Sequence, residues 1–498
     1  MSGPRRLLVG VVLLVLSVAL GLVVALSLFL TSSRTIVLVG HDTVVRPTLS
    51  GDAIIQTGPL LPDFRLRDVG PVGVELALGK TEVGSIDELV QRYAFIASDS
   101  TAQVEKVQDV VADMALSAAL RGLGVGLVPV AVFLLLGRHR RGELFRGLRT
   151  RPGLLAFALL LLLPLLIWQP WESPAETQEE QGTWQTLAEV VGPSVTLPVE
   201  ARDIEIRTGP VTTQTKRLVL SAIDTYDKSK EFYSAAAESA ADLEVRAAEE
   251  DETVALLVSD RHDNIGMDRV ARAIGEAAGA TVVLDGGDDT STGQPWEAFS
   301  LDSLAATFET WDRFGVAGNH DNGTFVTSYL ADAGWTMLDG EVIDAPWGGT
   351  LLGLDDPRSS GLGSWREETG LSFSEVGSRL ADVACDAEER VSTLLVHDAN
   401  LGREALTRGC VDLVVGGHTH VHSGPTEGAG EDGSVGYTWT NGTTGGAAYA
   451  IAVGSKPRRD ADVSLITYRD GRPTGLQWVR LGTDGSWLVG DWTPIEPD

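Results

Sequence analysis

Residues 253–262 read TVALLVSDRH and residues 411–420 read VDLVVGGHTH. Each is an apolar run that stops at polar residues two apart: Asp260 and His262 in the first, His418 and His420 in the second. An extended backbone aims both members of such a pair to one side. The pattern recurs between them. Apolar runs over 281–284, 314–317 and 392–396 lead into Gly287-Asp288, Gly318-Asn319-His320-Asp321 and His397. Helical spacing over 265–278, 301–312 and 373–383 separates the runs. Strands alternating with helices, each strand followed by polar ligands, predict an α/β domain with its site at the strand C-terminal ends. From Tyr437 onward, alternation gives a β-rich ending.

Five of the eight histidines fall in these motifs. Any one alone reads more simply as a satisfied core histidine, but the ordered Asp, Asn and Gly partners weigh against that. The set mixes hard oxygen with borderline nitrogen, which suits two divalent cations of Mn, Fe or Zn better than Ca or Mg. His41, His139 and His422 lie outside the motifs and read as surface residues, with a peripheral substrate contact the alternative for His422. Asp302, Asp312, Asp355 and Asp356 read as solvated.

The ordered set D-x-H, G-D, G-N-H-D, lone His and G-H-x-H, from Asp260 to His420, resembles the calcineurin-like metallophosphoesterase family, in a multi-pass membrane-anchored bacterial form. The resemblance implies a two-sheet β-sandwich flanked by helices. It also implies a dinuclear phosphoric ester hydrolase, acting on mono- or diesters through a metal-bridging hydroxide. Carried over motif by motif, one metal takes Asp260, His262, Asp288 and His420, and the second takes Asp288, Asn319, His397 and His418. Asp288 is the bridge. His320 resembles the family's non-ligand catalytic histidine, which stabilises developing charge or protonates the leaving oxygen. Many members carry an Asp three residues after the bridge to back that histidine. Here the position is Ser291, so Asp289 or Asp321 is expected to substitute. Arg261 and Asp321 are candidate substrate contacts, although a solvent-facing side chain is the plainer reading of Arg261. Specificity is expected from loops 322–329 and 355–372.

Three apolar stretches precede this domain. Residues 7–30 carry no charge and are long enough to span a bilayer core of about 30 Å. Residues 122–136 extend back to Met114 if Arg121 snorkels, and residues 153–168 end near Trp168 and Trp171, an interfacial belt. Arg5, Arg6 and the loop carrying Arg138, Arg140, Arg141, Arg146, Arg149 and Arg151 mark the cytoplasmic side. A buried hairpin is the alternative for the second and third stretches. The expected organisation is a cytoplasmic tip with a first membrane helix (1–30), an outer β-containing module (31–113), a second membrane helix (114–136) and a basic loop (137–152). A third membrane helix (153–169), a linker with a second outer module (170–250) and the metallophosphoesterase domain (251–498) follow. The fold class is therefore α/β, with three N-terminal transmembrane helices and small β-containing outer modules. The two modules are expected from a repeat: Asp52, Ile55, Thr57, Gly58 and Pro59 align without a gap on Asp203, Ile206, Thr208, Gly209 and Pro210. Each copy is followed by an alternating apolar run, Val72 to Leu78 in the first and Leu218 with Leu220 in the second, and residues 225–250 read as helix.

A net charge of -30 argues against nucleic acid as a partner, because a binder must neutralise phosphates. The expected partners are a phosphorylated substrate and the lipid bilayer. Cys385 and Cys410 lack CxxC spacing, which excludes a zinc knuckle. They flank the strand that carries His397, and a bridge in an oxidising compartment or two free thiols both fit. The competing reading is a cell-surface receptor or scaffold with a vestigial metal domain. Degenerate domains lose ligands, and none is missing here.

Overall fold

A computed structural model describes residues 3–57, 63–79, 93–97, 100–137, 183–192, 204–208, 213–360, 371–447 and 454–498, with residues 140, 150 and 152. The third expected membrane helix, nearly all of the basic loop, His139 and residues 170–182 of the linker lie outside the described residues. The chain divides into two compact units. One comprises Met1–Ile36, Asp42–Lys80 and Glu105–Thr213, the other Val37–His41, Thr81–Val104 and Gln214–Asp498.

In the first unit, helices Gly3–Leu30 and Thr101–Leu135 are long and apolar enough to cross a membrane. The second begins well before the expected residue 114. Val104, Val107, Val110 and Val111 keep helical spacing through the polar stretch that precedes the apolar one. The two helices meet at small residues. A methyl group at Gly122 would lie 2.5 Å from the Gly21 carbonyl oxygen, and one at Gly126 would lie 2.8 Å from the Ser17 carbonyl oxygen. Close backbone approach through small residues lets two apolar helices pack by van der Waals contact. Most large apolar side chains exposed among the described residues, such as Leu14, Leu22, Leu120 and Leu134, lie on these helices.

The same unit holds a sheet in the order Arg34–Leu38, His41–Thr48, Gly73–Leu78, Ala53–Gln56, Phe64–Leu66, Ile204–Thr208, Thr183–Thr186. The repeated stretches are strands of this one sheet, not separate modules. They flank Phe64–Leu66 in matched register: Phe64 pairs with Ile55 on one side and Ile206 on the other, and Leu66 with Ala53 and Ile204. Sharing a central strand leaves fewer open edges than two small sheets would. The second strand expected of the later copy does not form. Leu218 and Leu220 lie in helix Thr213–Ala240, where Leu218, Ala222 and Tyr226 repeat every four residues.

The second unit has two packed sheets between helices. Among the described residues, one sheet runs Thr336–Met337, Asp312–Gly315, Val282–Asp285, Glu252–Val258, Ala461–Arg469, Arg472–Leu481, Trp487–Val489. The other runs Ile343–Asp344, Thr350–Leu354, Val391–Val396, Val411–Gly416, Val435–Thr440, Ser423–Ala429. The period of two explains the layers. Ala255 and Leu257 face the inner core with Leu395, Leu413, Val415 and Trp439 of the opposite sheet. Val254, Leu256 and Val258 face outward, under Val270 and Ile274 of helix Gly266–Ala277 and Leu301 and Leu304 of helix Ala298–Thr307. On the other side, Leu394, Val396 and Val414 lie under Leu380 and Ala384 of helix Phe373–Asp386. Strands buried on both faces read as near-continuous apolar runs, as parallel strands between helices do. Cys385 of that helix is joined to Cys410, with Cα atoms 5.0 Å apart.

The unit extends beyond the expected boundary at residue 251. Tyr233, Ala236 and Ala240 of helix Thr213–Ala240 enter its core, as do Phe95 and Ile96. His41 is buried rather than exposed and hydrogen-bonds the Tyr93 hydroxyl. Loop 322–329 is helical from Phe325 onward.

Candidate metal centre

The parallel strands end level with one another. Val258 is paired with Asp285, and Asp285 with Gly315. In the second sheet, Leu395 is paired with Val415. The residues after these ends therefore meet in one place. Asp260 N–H donates to the Gly287 carbonyl at 2.8 Å, His262 N–H to the Asp288 carbonyl at 2.9 Å, and Gly417 N–H to the His397 carbonyl at 2.7 Å. Two motif glycines are steric necessities. Gly287 has φ +84, and a Cβ there would lie 2.2 Å from Gly318 N; a Cβ on Gly417 would lie 1.7 Å from Ser259 Oγ.

All seven expected ligands line this convergence. Two groups offer ligand atoms within 4.8 Å of one another: Asp260, His262 and His420, and Asp260, Asp288 and His397. His397 Nε2 is 3.3 Å from Asp288 Oδ2 and 3.0 Å from Asn319 Oδ1. His418 Nδ1 is 3.2 Å from His397 Nε2. His262 Nε2 is 3.1 Å from His420 Nε2 and 3.8 Å from Asp288 Oδ2, and His420 Nε2 is 3.2 Å from Asp260 Oδ1.

Neighbouring carbonyls orient the rings. His397 Nδ1 donates to Gly286 O at 2.7 Å, and His420 Nδ1 to Ala447 O at 3.1 Å. In the neutral ring each Nε2 is then a bare lone pair. Lone pairs and carboxylate oxygens aimed at one another repel unless a cation lies among them, so the donor set fits divalent metal. Asp260 Oδ1 and His262 Nδ1 are buried without a hydrogen-bond partner. Burial pushes His262 down to about 4, against the pull of Asp288 and Asp260. Burial also opposes charge on Asp288, but the facing His397, His262 and His320 outweigh it and hold its carboxyl well below the usual range.

Asp260, His262, Asp288, His418 and His420 all have positive φ, between 47° and 71°. A non-glycine residue in that region costs about 1–3 kcal/mol and persists only where its surroundings impose it.

Two expected substrate contacts are structural instead. Arg261 is fully buried: Nε and Nη2 donate to Asp268 at 2.8 and 2.7 Å, and Nη1 to Asp289 at 2.9 Å and Ser300 Oγ at 3.3 Å. Asp321 is buried and accepts the backbone N–H groups of Asp288, Thr290 and Gly318 at 2.8, 3.0 and 3.0 Å. Burial, reinforced by Asp289 and Asp288, pushes it up to about 7. Each is committed to holding the loops that carry the expected ligands. Neither Asp289 nor Asp321 replaces the carboxylate missing at Ser291. His320 Nδ1 instead faces the Ser291 carbonyl at 3.1 Å and Ser360 Oγ at 2.9 Å.

His422 is half-buried between Trp439 and Trp478, with ring centroids 4.4 and 5.4 Å away, so it is a packing residue. Asp356 is buried and bound by Arg358, and Asp355 accepts from Ala317 N–H at 2.7 Å. Asp302 accepts from Gln103 Nε2 at 2.9 Å, whereas Asp312 is exposed. Asp355 and Asp356 follow the apolar run 351–354, the same signature that marks the metal motifs, and that signal was available in the sequence.

Residues 254–422 match the profile of the family described as calcineurin-like phosphoesterase. No curated protein sequence matches the chain. Among solved structures, the chain is similar to an archaeal phosphodiesterase at 12% identity, over 49% of this chain and 100% of that one, with a TM-score of 0.26.

Proposed function

We propose that this chain, which carries a calcineurin-like phosphoesterase domain over residues 254–422, is a membrane-anchored, outward-facing phosphoric ester hydrolase that works with two divalent cations, Mn, Fe or Zn. The carrying observation is the convergence of His262, His397 and His420 on Asp260 and Asp288, with the Nδ1 atoms of His397 and His420 taken up by backbone carbonyls so that each Nε2 faces the carboxylates. Asp260, His262, Asp288 and His420 hold one cation, and Asp288, Asn319, His397 and His418 hold the other. Bound cations supply Lewis acidity toward the phosphoryl oxygens and acidify water. The chain's own part is to fix that geometry and to carry a proton. His320 N–H donates to Asp288 Oδ1 at 2.7 Å, which fixes the residue beside the bridge, and its ring lies 5.1 Å from that of His262. From there it donates a proton to the leaving oxygen.

The full chain in detergent, loaded with Mn(II), is expected to hydrolyse members of a panel of phosphate mono- and diesters. His320→Ala should keep its metal content and lose about 10²–10⁴ in kcat, the worth of a positioned acid–base group. Metal loss in that variant would move His320 into the ligand set. Wild-type protein that binds two metals and cleaves no ester would favour the receptor or scaffold reading.

Membrane anchoring is supported by the two long apolar helices and their exposed apolar faces. Orientation is supported by the arginine-rich loop and by the joined Cys385 and Cys410, which suit an oxidising side. Protease added to intact cells should cleave the catalytic domain and spare the 137–152 loop. A protected domain would reverse the orientation.

A further inference from the structure

After strand Thr350–Leu354 the chain runs as a strap, residues 355–360, along the segment that carries Asn319 and His320. Asp356 N–H donates to the Ala317 carbonyl at 2.9 Å, and Ser360 N–H to the Asn319 carbonyl at 2.6 Å. Arg358, itself in the strap, ties it to Asp356 and to the second sheet's loop. Its Nε and Nη2 donate to Asp356 at 2.9 and 2.6 Å, and Nη2 also reaches Asp398 at 2.9 Å, beside the expected ligand His397. The strap ends with Ser360 Oγ 2.9 Å from His320 Nδ1.

We infer that Ser360 is a positioning residue for His320, doing with a hydroxyl what a carboxylate would do from position 291. The inference rests on the phosphoesterase reading above. The Ser291 carbonyl can only accept, so its 3.1 Å contact requires the hydrogen on Nδ1. Ser360 Oγ is then a second acceptor for that hydrogen. Two acceptors on one face fix the ring and aim Nε2 at the substrate. In the step served, the attacking water gives one proton to solvent as its oxygen forms a new bond to phosphorus. The bond to the leaving oxygen breaks with its electron pair on that oxygen, the Nε2 proton moves onto it, and the ring becomes neutral. An aryl alcohol leaves readily without this proton, whereas an alkyl alcohol needs it. The strap therefore matters most for esters of alkyl alcohols, and these are the substrate class it serves.

The test uses the full chain loaded with Mn(II), comparing p-nitrophenyl phosphate esters with glycerol phosphate esters. Ser360→Ala should lose about 10–100-fold in kcat on the alkyl ester, the scale of losing a partner that orients a site group. It should lose only a few-fold on the aryl ester, with KM and metal content unchanged. Ser360→Thr, which keeps the hydroxyl, should recover the alkyl activity. Equal losses on both esters, no loss on either, or loss of metal from Ser360→Ala would overturn the inference while leaving the phosphoesterase reading in place. A wild-type chain inactive on both ester classes would instead overturn that reading, and this inference with it.

Discussion

Asp288→Ala is expected to empty both metal positions and to abolish phosphoester hydrolysis. Asp288 is the carboxylate expected to serve both cations. Its Oδ2 lies 3.3 Å from His397 Nε2 and 3.8 Å from His262 Nε2, one histidine from each expected site. Without it, the two cations would lose the carboxylate expected to lie between them, and Asp260 would be left as the anionic ligand of the expected set. Activity should fall by at least about 10³-fold, because water without bound cations keeps a pKa far above that of metal-bound water. Metal analysis of purified protein should show both equivalents reduced, whereas Asn319→Ala should deplete mainly the second. The fold should survive, since the apolar strands that meet at this point are untouched. Two retained metals in Asp288→Ala would refute the bridging role.

Arg261→Ala is expected to damage stability, not substrate binding. The side chain is fully buried between Asp268 and Asp289. Burial opposes its charge, but the two carboxylates outweigh that and keep it ionised. Removing the guanidinium leaves two buried acids without their cation, a loss of about 3–5 kcal/mol. Denaturant unfolding should show it directly as a lower midpoint. Arg261→Lys should recover part of the loss, since it restores charge but not the fork that meets Asp268 with two nitrogens. If Arg261→Ala unfolded like the wild type and only raised KM, the side chain would be a substrate contact after all. Asp321, which also lies in a motif and is also buried, belongs to the same supporting frame.

The sequence by itself determined the ligand motifs and their place in an α/β domain. Those signals are local. Apolar runs of strand length, ligands two residues apart and glycines beside them are readable one segment at a time. Tertiary structure decided what faces what. Arg261 meets Asp289 and Ser300, far along the chain, and no periodicity marks such partners. His320 is backed by Ser291 and Ser360 because the strap from a neighbouring strand passes beside it. The repeated stretches at 52 and 203 look like two modules in sequence, and pairing with the shared strand Phe64–Leu66 made them one sheet. Phe95 and Ile96 joined the core of the second unit through a segment whose pattern announced nothing. Buried polar groups must find hydrogen-bond partners wherever the folded chain supplies them. Those partners are fixed by strand order and loop path, which the linear spacing of residues does not contain.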